Sequence, residues 1–256
     1  MSCSVKRTVE VLRVDRHGLR RAPDEVAVEH PLTVSVADVE VATLLCSPSH
    51  VEDLVVGFLF SEGFIGGPEE VVSLHHDPDA ARVAVELEGP LPSARRVVTS
   101  GCGARGTLRA EGLPRRVEAE LVVGVSELVE AMTELHRSGR LFEATGAVHS
   151  AGLARGGRVL LVREDVGRHN AVDKVVGAAL RSGLEPGQLV LLSSGRLSSE
   201  MVLKAARLGA PVVASRAAPT DLAVELAERL GVTLIGFLRG LKMNLYANPE
   251  RIRGEK

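Results

Sequence analysis

Between residues 126 and 238 the chain alternates short branched-apolar runs with segments of helical period, and this alternation limits its possible folds more than any other feature. Residues 148–153, 158–162, 189–192, 211–214 and 232–238 have the Val/Leu-rich composition and length of strands. Helical spacing fills 126–137, 170–181, 197–208 and 220–230. Ala171, Val172, Val175, Val176, Ala179 and Leu180 make one face, Leu222, Leu226 and Leu230 another, and Gly209 and Gly231 stand where helices stop. Alternating strand and helix predicts βα units, an α/β fold and a mostly parallel sheet.

The first part of the chain is different. Residues 9–14, 32–36, 39–45, 83–87 and 95–98 predict strands, with a single helix among them. That helix has Val51, Leu54, Val55, Phe58 and Leu59 on one buried face, a capping-box spacing at Ser49 and Glu52, and Gly63 as its stop. A glycine-rich stretch at 99–106 and a charged, proline-containing stretch at 114–118 suggest a boundary there. The expected division is a smaller α+β N-terminal domain, 1–118, ending in the loop around Cys102, and an α/β domain, 119–256.

The strand ends of the second domain carry a chemical pattern. Arg168 follows the strand ending near Val162, Arg196 follows Ser194-Gly195, Arg216 follows Ser215, and Arg239 is followed by Gly240-Leu241-Lys242. Ligands of open α/β sheets bind at the carboxyl ends of the strands. Three of these arginines precede helix starts, where a cation opposes the helix dipole by ~0.3–1 kcal/mol. A bound anion reverses that disadvantage by pairing with the arginines and with free helix N–H groups. The competing reading is that these arginines are solvated or pair with Glu164, Asp165 and Asp221. Four at one edge, each beside Gly or Ser, favour a ligand with several negative charges, such as a dinucleotide or paired pyrophosphates. No Gly-Lys-Ser/Thr phosphate loop or dinucleotide glycine fingerprint is present, so ordinary ATP and NAD folds are not supported.

Of three cysteines, Cys46 sits in an apolar run, Cys3 near the N-terminus, and Cys102 between Gly101 and Gly103 with Arg105 close by. A thiol flanked by glycines and near a cation suits a sulfur nucleophile or persulfide carrier. His149 is a candidate assistant, and His169 adjoins Arg168. Without Cys-x-x-Cys or His-x-Glu spacing, a zinc site from Cys102, His149 and His169 is not expected. Three widely spaced cysteines are no disulfide framework and fit a reducing cytoplasm. With 31 basic against 33 acidic residues, no Trp and one Tyr, general nucleic-acid coating and aromatic stacking on single strands are excluded. The charged N-terminus does not resemble a signal peptide, and no apolar run reaches the ~18–20 residues of a membrane span.

Taken together, TSGCG (99–103), EDVGRHNAVDK (164–174), SGRLSSEM (194–201), SRAAPT (215–220), FLRG (237–240) and the 46–63 segment resemble the formate dehydrogenase accessory sulfurtransferases, which sulfurate the molybdenum cofactor. The resemblance runs from about residue 23 to 246. It implies a cytidine-deaminase-like C-terminal domain, a homodimer, and Cys102 as the carrier of sulfur received as a persulfide from a cysteine desulfurase. It also implies a bis(molybdopterin guanine dinucleotide) molybdenum cofactor as bound substrate, with formate dehydrogenase as the enzyme served. No tightly held metal of the protein's own is expected. The cofactor-contacting segment of such proteins maps onto Phe237, Leu238, Arg239, Gly240, Leu241 and Lys242, beside the edge formed by Arg168, His169, Ser194, Gly195, Arg196 and Arg216. Relatives often carry a second cysteine three positions after the first; here that position is Arg105, which excludes a two-thiol relay within this loop. The alternative class is a non-catalytic chaperone that binds and delivers the same cofactor. A third, a cysteine hydrolase, has only Cys102 and His149 in its favour.

Overall fold

Strands buried on both faces read as unbroken apolar runs, and three of them build the centre of the molecule. In the computed structural model, which describes residues 4–89, 98–99 and 113–254, these are β11 (Val190–Ser193), β12 (Val212–Ser215) and β13 (Thr233–Arg239). Successive side chains alternate between two cores: Val190 and Leu192 face one, Leu191 the other; Val212 and Ala214 face one, Val213 the other.

Three more strands complete this sheet: β9 (His149–Arg155), β10 (Arg158–Asp165) and β14 (Lys242–Ala247), in the order β10-β9-β11-β12-β13-β14. Only β11-β12 and β12-β13 are parallel; the other three pairings are antiparallel, so the expected mostly parallel sheet is a mixed one. The reason is local. Gly156 and Gly157, both at positive φ, turn β9 straight back into β10. Gly240, also at positive φ, turns β13 into β14, a strand that the expected termination near Leu238 omitted.

Helices α4 (Arg168–Ser182), α5 (Ser199–Leu208) and α6 (Asp221–Leu230) pack on one face of the sheet. On the other lies α2 (Val125–Ser138), whose Leu128, Ala131, Met132 and Leu135 form a single buried stripe. The short α3 (Arg140–Thr145) joins α2 to β9, and β8 (Val123–Gly124) pairs with β15 (Ile252–Arg253).

The first part of the chain makes a hairpin of β1 (Lys6–Asp15) and β2 (Gly18–Ala27). It also makes a five-stranded sheet from β3 (His30–Val36), β4 (Val39–Cys46), β5 (Val71–Asp77), β6 (Arg82–Leu87) and β7 (Val98–Thr99), in the order β5-β6-β3-β4-β7. Its helix, α1 (Val51–Glu62), is buried nearly all round rather than on the single expected face. A helix apolar on every side requires cover on every side. The buried cluster that encloses α1 contains residues of β3, β4 and β6 together with residues of α4. The two helices cross at glycine: a Cβ at Gly57 would lie 1.8 Å from the Asp173 carbonyl oxygen, and one at Gly177 would lie 1.9 Å from that of Asp53. Gly63 ends α1 in the left-handed conformation, as expected, but the Ser49–Glu52 capping box does not form. His50 holds the cap position with φ of 51°, and the Ser49 N–H bonds the Ser47 carbonyl.

Candidate functional site

Antiparallel pairing decides what shares the carboxyl edge of the six-stranded sheet. Since β9 runs against both β10 and β11, its first residue, His149, lies beside their last residues; Asp165 pairs directly with His149. The edge therefore carries, in order, the Arg168–His169 start of α4, His149, the Ser194–Arg196 loop, Arg216, Arg239 and Lys242. At ~4.8 Å per strand, β10 to β13 spans about 19 Å.

Contacts stitch these loops together. The Ser194 N–H bonds the Ser150 carbonyl, and Ser194 Oγ accepts the Ser150 N–H at 3.0 Å while lying 3.3 Å from His149 Nδ1. Ser215 Oγ donates to the Gly195 carbonyl at 2.6 Å, Arg239 Nε to the Arg216 carbonyl at 3.1 Å, and the Phe237 N–H to Ala217. Gly195 sits in close contact: a Cβ there would lie 3.0 Å from Arg168 Cβ and 3.3 Å from His149 Nδ1, so those side chains would have to shift.

Charge at the edge is unbalanced. Two of the three carboxylates that seemed natural partners are occupied elsewhere. Glu164 accepts the N–H groups of Leu141 and Phe142 at the start of α3, and Asp165 pairs with Lys174. Among the described residues, Arg168, Arg196, Arg216 and Arg239 form no ion pair. Arg168 Nε is buried with no hydrogen-bond partner, a cost of about 1–3 kcal/mol or more that a bound acceptor would remove. Burial, and then the neighbouring Arg168, His169 and Arg196, push the His149 pKa below its ordinary 6.5, so its imidazole is neutral at pH 7. His169 Nε2 lies 2.9 Å from Glu200 Oε2, and that hydrogen bond is the main reason the Glu200 carboxyl is held low.

Under the edge lies a second set of charges. Asp165 and Lys174, both fully buried, meet at 2.6 Å. Asp165 also accepts from the N–H groups of Ser47 and Gly167 and from Asn170 Nδ2, while Lys174 donates to the Ser47 and Glu164 carbonyls. The Asn170 amide reaches the Leu45 carbonyl at 2.7 Å. Asn170 is thus a cross-brace: Gly167 is the helix cap and α4 begins one residue later. Asp173 pairs with buried Lys204 at 2.6 Å; desolvation is the largest single influence on this ammonium and lowers its pKa, but Asp173, Glu62 and Glu200 together raise it. Asp53 takes both Arg163 and Arg181.

The structure brings Arg168, His169, Ser194, Gly195, Arg196, Arg216 and Arg239 to one edge. Phe237, Gly240, Leu241 and Lys242 lie in its terminal hairpin, exposed, whereas the Leu238 side chain belongs to the core. Glu200, not among the expected site residues, joins the edge through His169; an acid in the first turn of α5 was its only sequence signal. Cys102 and its glycines lie outside the described residues. The chain reaches them through β7, which runs parallel to β4 and so heads toward the Cys46 end of β4, the end braced on Asp165 and Asn170. Cys46 itself is buried, and desolvation followed by Asp165 pushes its thiol pKa up to about 12, leaving it inert. A cavity of about 440 Å³ is lined by His30, Cys46, His50 and Arg181 among others and by none of the edge residues; the edge is an open shelf. No helix among the described residues is long and apolar enough to cross a membrane.

An open shelf of arginines that form no ion pair among the described residues, with one buried donor left without a partner, defines the class: an α/β protein with a cationic shelf at its strand ends. The chain belongs to the FdhD/NarQ family, which it matches over residues 27–253. It is 37% identical over 261 residues to the sulfur carrier protein FdhD of Staphylococcus haemolyticus, covering 99% of each chain. It is 35% identical over 261 residues to that of Bacillus subtilis, covering 99% of this chain and 100% of the other. The crystal structure of a formate dehydrogenase accessory protein from Desulfotalea psychrophila superposes with a TM-score of 0.83 at 30% identity, covering 98% of this chain and all of the other.

Proposed function

We propose that this protein is a sulfurtransferase: Cys102 receives sulfur from a cysteine desulfurase as a persulfide and passes it to a bis-guanine-dinucleotide molybdenum cofactor, which is then inserted into formate dehydrogenase. In the first step the Cys102 thiolate attacks the outer sulfur of the desulfurase persulfide. The desulfurase cysteine leaves as a thiolate, and Cys102 holds the extra sulfur. The observation that supports the reading most strongly is the buried, unpartnered Arg168 Nε at an edge where three more arginines are unpaired. Two pyrophosphates match several cations spread over about 19 Å. The direction of β7 supports the pairing of thiol and shelf. Cys102 follows Thr99 by three residues, a reach of at most ~11 Å, and the strand points to the end of β4 that adjoins the start of α4. A reducing cytoplasm suits a carrier whose thiol must stay free.

The test is intact mass after incubation with a desulfurase and cysteine. A gain of one sulfur, lost in Cys102→Ser, is expected. No gain on a protein that still binds GDP would leave the chaperone reading in its place.

A further inference from the structure

We infer that the cavity at the start of α1 is a binding site for a small organic carboxylate, an acid head on an apolar body. The site shares no residue with the arginine edge and is independent of the sulfur-transfer reading.

The cavity measures about 440 Å³, within the ~300–1,000 Å³ of small-molecule sites. Its lining combines apolar residues, among them Leu32, Pro48, Val51 and Pro78, with three histidines, His30, His50 and His76. None of these three imidazoles has a hydrogen-bond or ion-pair partner among the described residues, whereas His149 and His169 each have one. They are no metal centre: no group of three or more His, Cys, Asp or Glu among the described residues is arranged to hold a metal ion. His50 is the clearest anomaly. It holds the cap position of α1 in the left-handed conformation, φ 51° and ψ 44°, and its side chain makes no cap bond. Glycine takes that conformation freely, and Ser, Asp or Asn would cap the helix. Local structure therefore gives no reason for histidine at position 50; an imidazole lining a ligand site does.

The spare hydrogen-bonding capacity of the lining is mostly donor. Arg181, in the last turn of α4, has five N–H donors and spends one on Asp53 and one on Glu52. Asp53 has both oxygens taken, by Arg163 and Arg181, and Glu52 gives one of its oxygens to Arg181. The N–H groups of Val51, Glu52 and Asp53 precede the first bond of α1, from the Leu54 N–H to the His50 carbonyl. Each neutral imidazole adds one donor and one acceptor. An excess of donors selects an acceptor-rich head, and the apolar lining selects a body behind it. Glu52 and Asp53 balance Arg163 and Arg181, so no surplus cation is left for a second negative charge, and a carboxylate fits better than a phosphate dianion. Cys46 and Pro48 of the lining flank Ser47, whose N–H and carbonyl hold Asp165 and Lys174. An occupant therefore braces the join between α4 and the first part of the chain.

Imidazole proton shifts of the full chain, followed as benzoate is added, test this. Saturable shifts at His30, His50 and His76, larger than those at His149 and His169, are expected, together with a raised melting temperature. Benzamide, which lacks the charge, and acetate, which lacks the body, should bind about tenfold or more weakly, and inorganic phosphate more weakly than benzoate. His50→Gly should fold at least as stably as the parent, since glycine accepts the left-handed conformation, yet bind benzoate about tenfold more weakly. His76→Gln, at a position with ordinary backbone, should weaken binding in the same direction. Shifts that do not saturate, that are led by His149 and His169, or that benzamide or phosphate reproduces at equal concentration overturn the inference. Benzoate affinity unchanged in both His50→Gly and His76→Gln overturns it as well.

Discussion

The run from Glu164 to Lys174 contains two kinds of charged residue doing opposite things. Asp165, Asp173 and Lys174 are buried, paired within the molecule, and tie α4 to Ser47 and α5. Arg168 and His169, in the same turn of chain, face the shelf, and Arg168 is short of a partner. The difference separates a latch from a site. The latch satisfies its own charges, whereas the edge leaves a buried donor without a partner. Substitutions in the latch should therefore be read in stability, and substitutions at the edge in binding.

The latch should respond most strongly. Lys174→Met strands Asp165 in the interior and should cost about 3–5 kcal/mol, measured by urea unfolding. A loss below about 1 kcal/mol would mean that the backbone donors at Ser47 and Gly167 satisfy Asp165 by themselves. Next is the glycine crossing. Gly177→Ala forces α4 away from α1 and should cost about 1–3 kcal/mol, read as a lowered melting temperature.

Edge substitutions should show the reverse pattern. Arg168→Ala is expected to weaken GDP binding about tenfold, the effect of one charged hydrogen bond, with no loss of stability, because it also removes the buried donor that has no partner. Arg196→Ala and Arg239→Ala should act in the same direction, and added salt should weaken binding in the parent. Calorimetry decides: unchanged affinity in all three variants would remove the edge from the account.

The smallest effect is in proton uptake. Because the His149 pKa lies below 6.5 in the folded state, the unfolded chain binds the proton first as pH falls, so His149 draws stability down below about pH 6.5. A polyanion at the edge offsets Arg168 and Arg196 and should move the His149 titration upward, visible in its imidazole proton shifts. A titration that GDP leaves unmoved would place the anion elsewhere.

The edge was legible in the sequence because arginine beside glycine or serine at the end of an apolar run is a local pattern. The latch was not. Asp165, Asp173 and Lys174 look like a solvated charge run, and only the packing of α1 and β4 above them makes them buried. Asn170 belongs with them, since its partner, the Leu45 carbonyl, is 125 residues away in the chain. Pairing direction was missed although Gly156-Gly157 marks a tight hairpin between two apolar runs. β2 and β14 escaped because strands exposed on one or both faces, rich in Arg, Asn or Pro, lack the alternation that marks a buried strand.

The central claim joins a thiol in one part of the chain to an anion shelf in the other, and one assay addresses both. Formate dehydrogenase activity is measured in cells that lack their own accessory protein and carry the parent, Cys102→Ser or Arg168→Ala. The account predicts rescue by the parent, none by Cys102→Ser although the purified variant folds and binds GDP normally, and reduced rescue by Arg168→Ala. Full rescue by Cys102→Ser would contradict it.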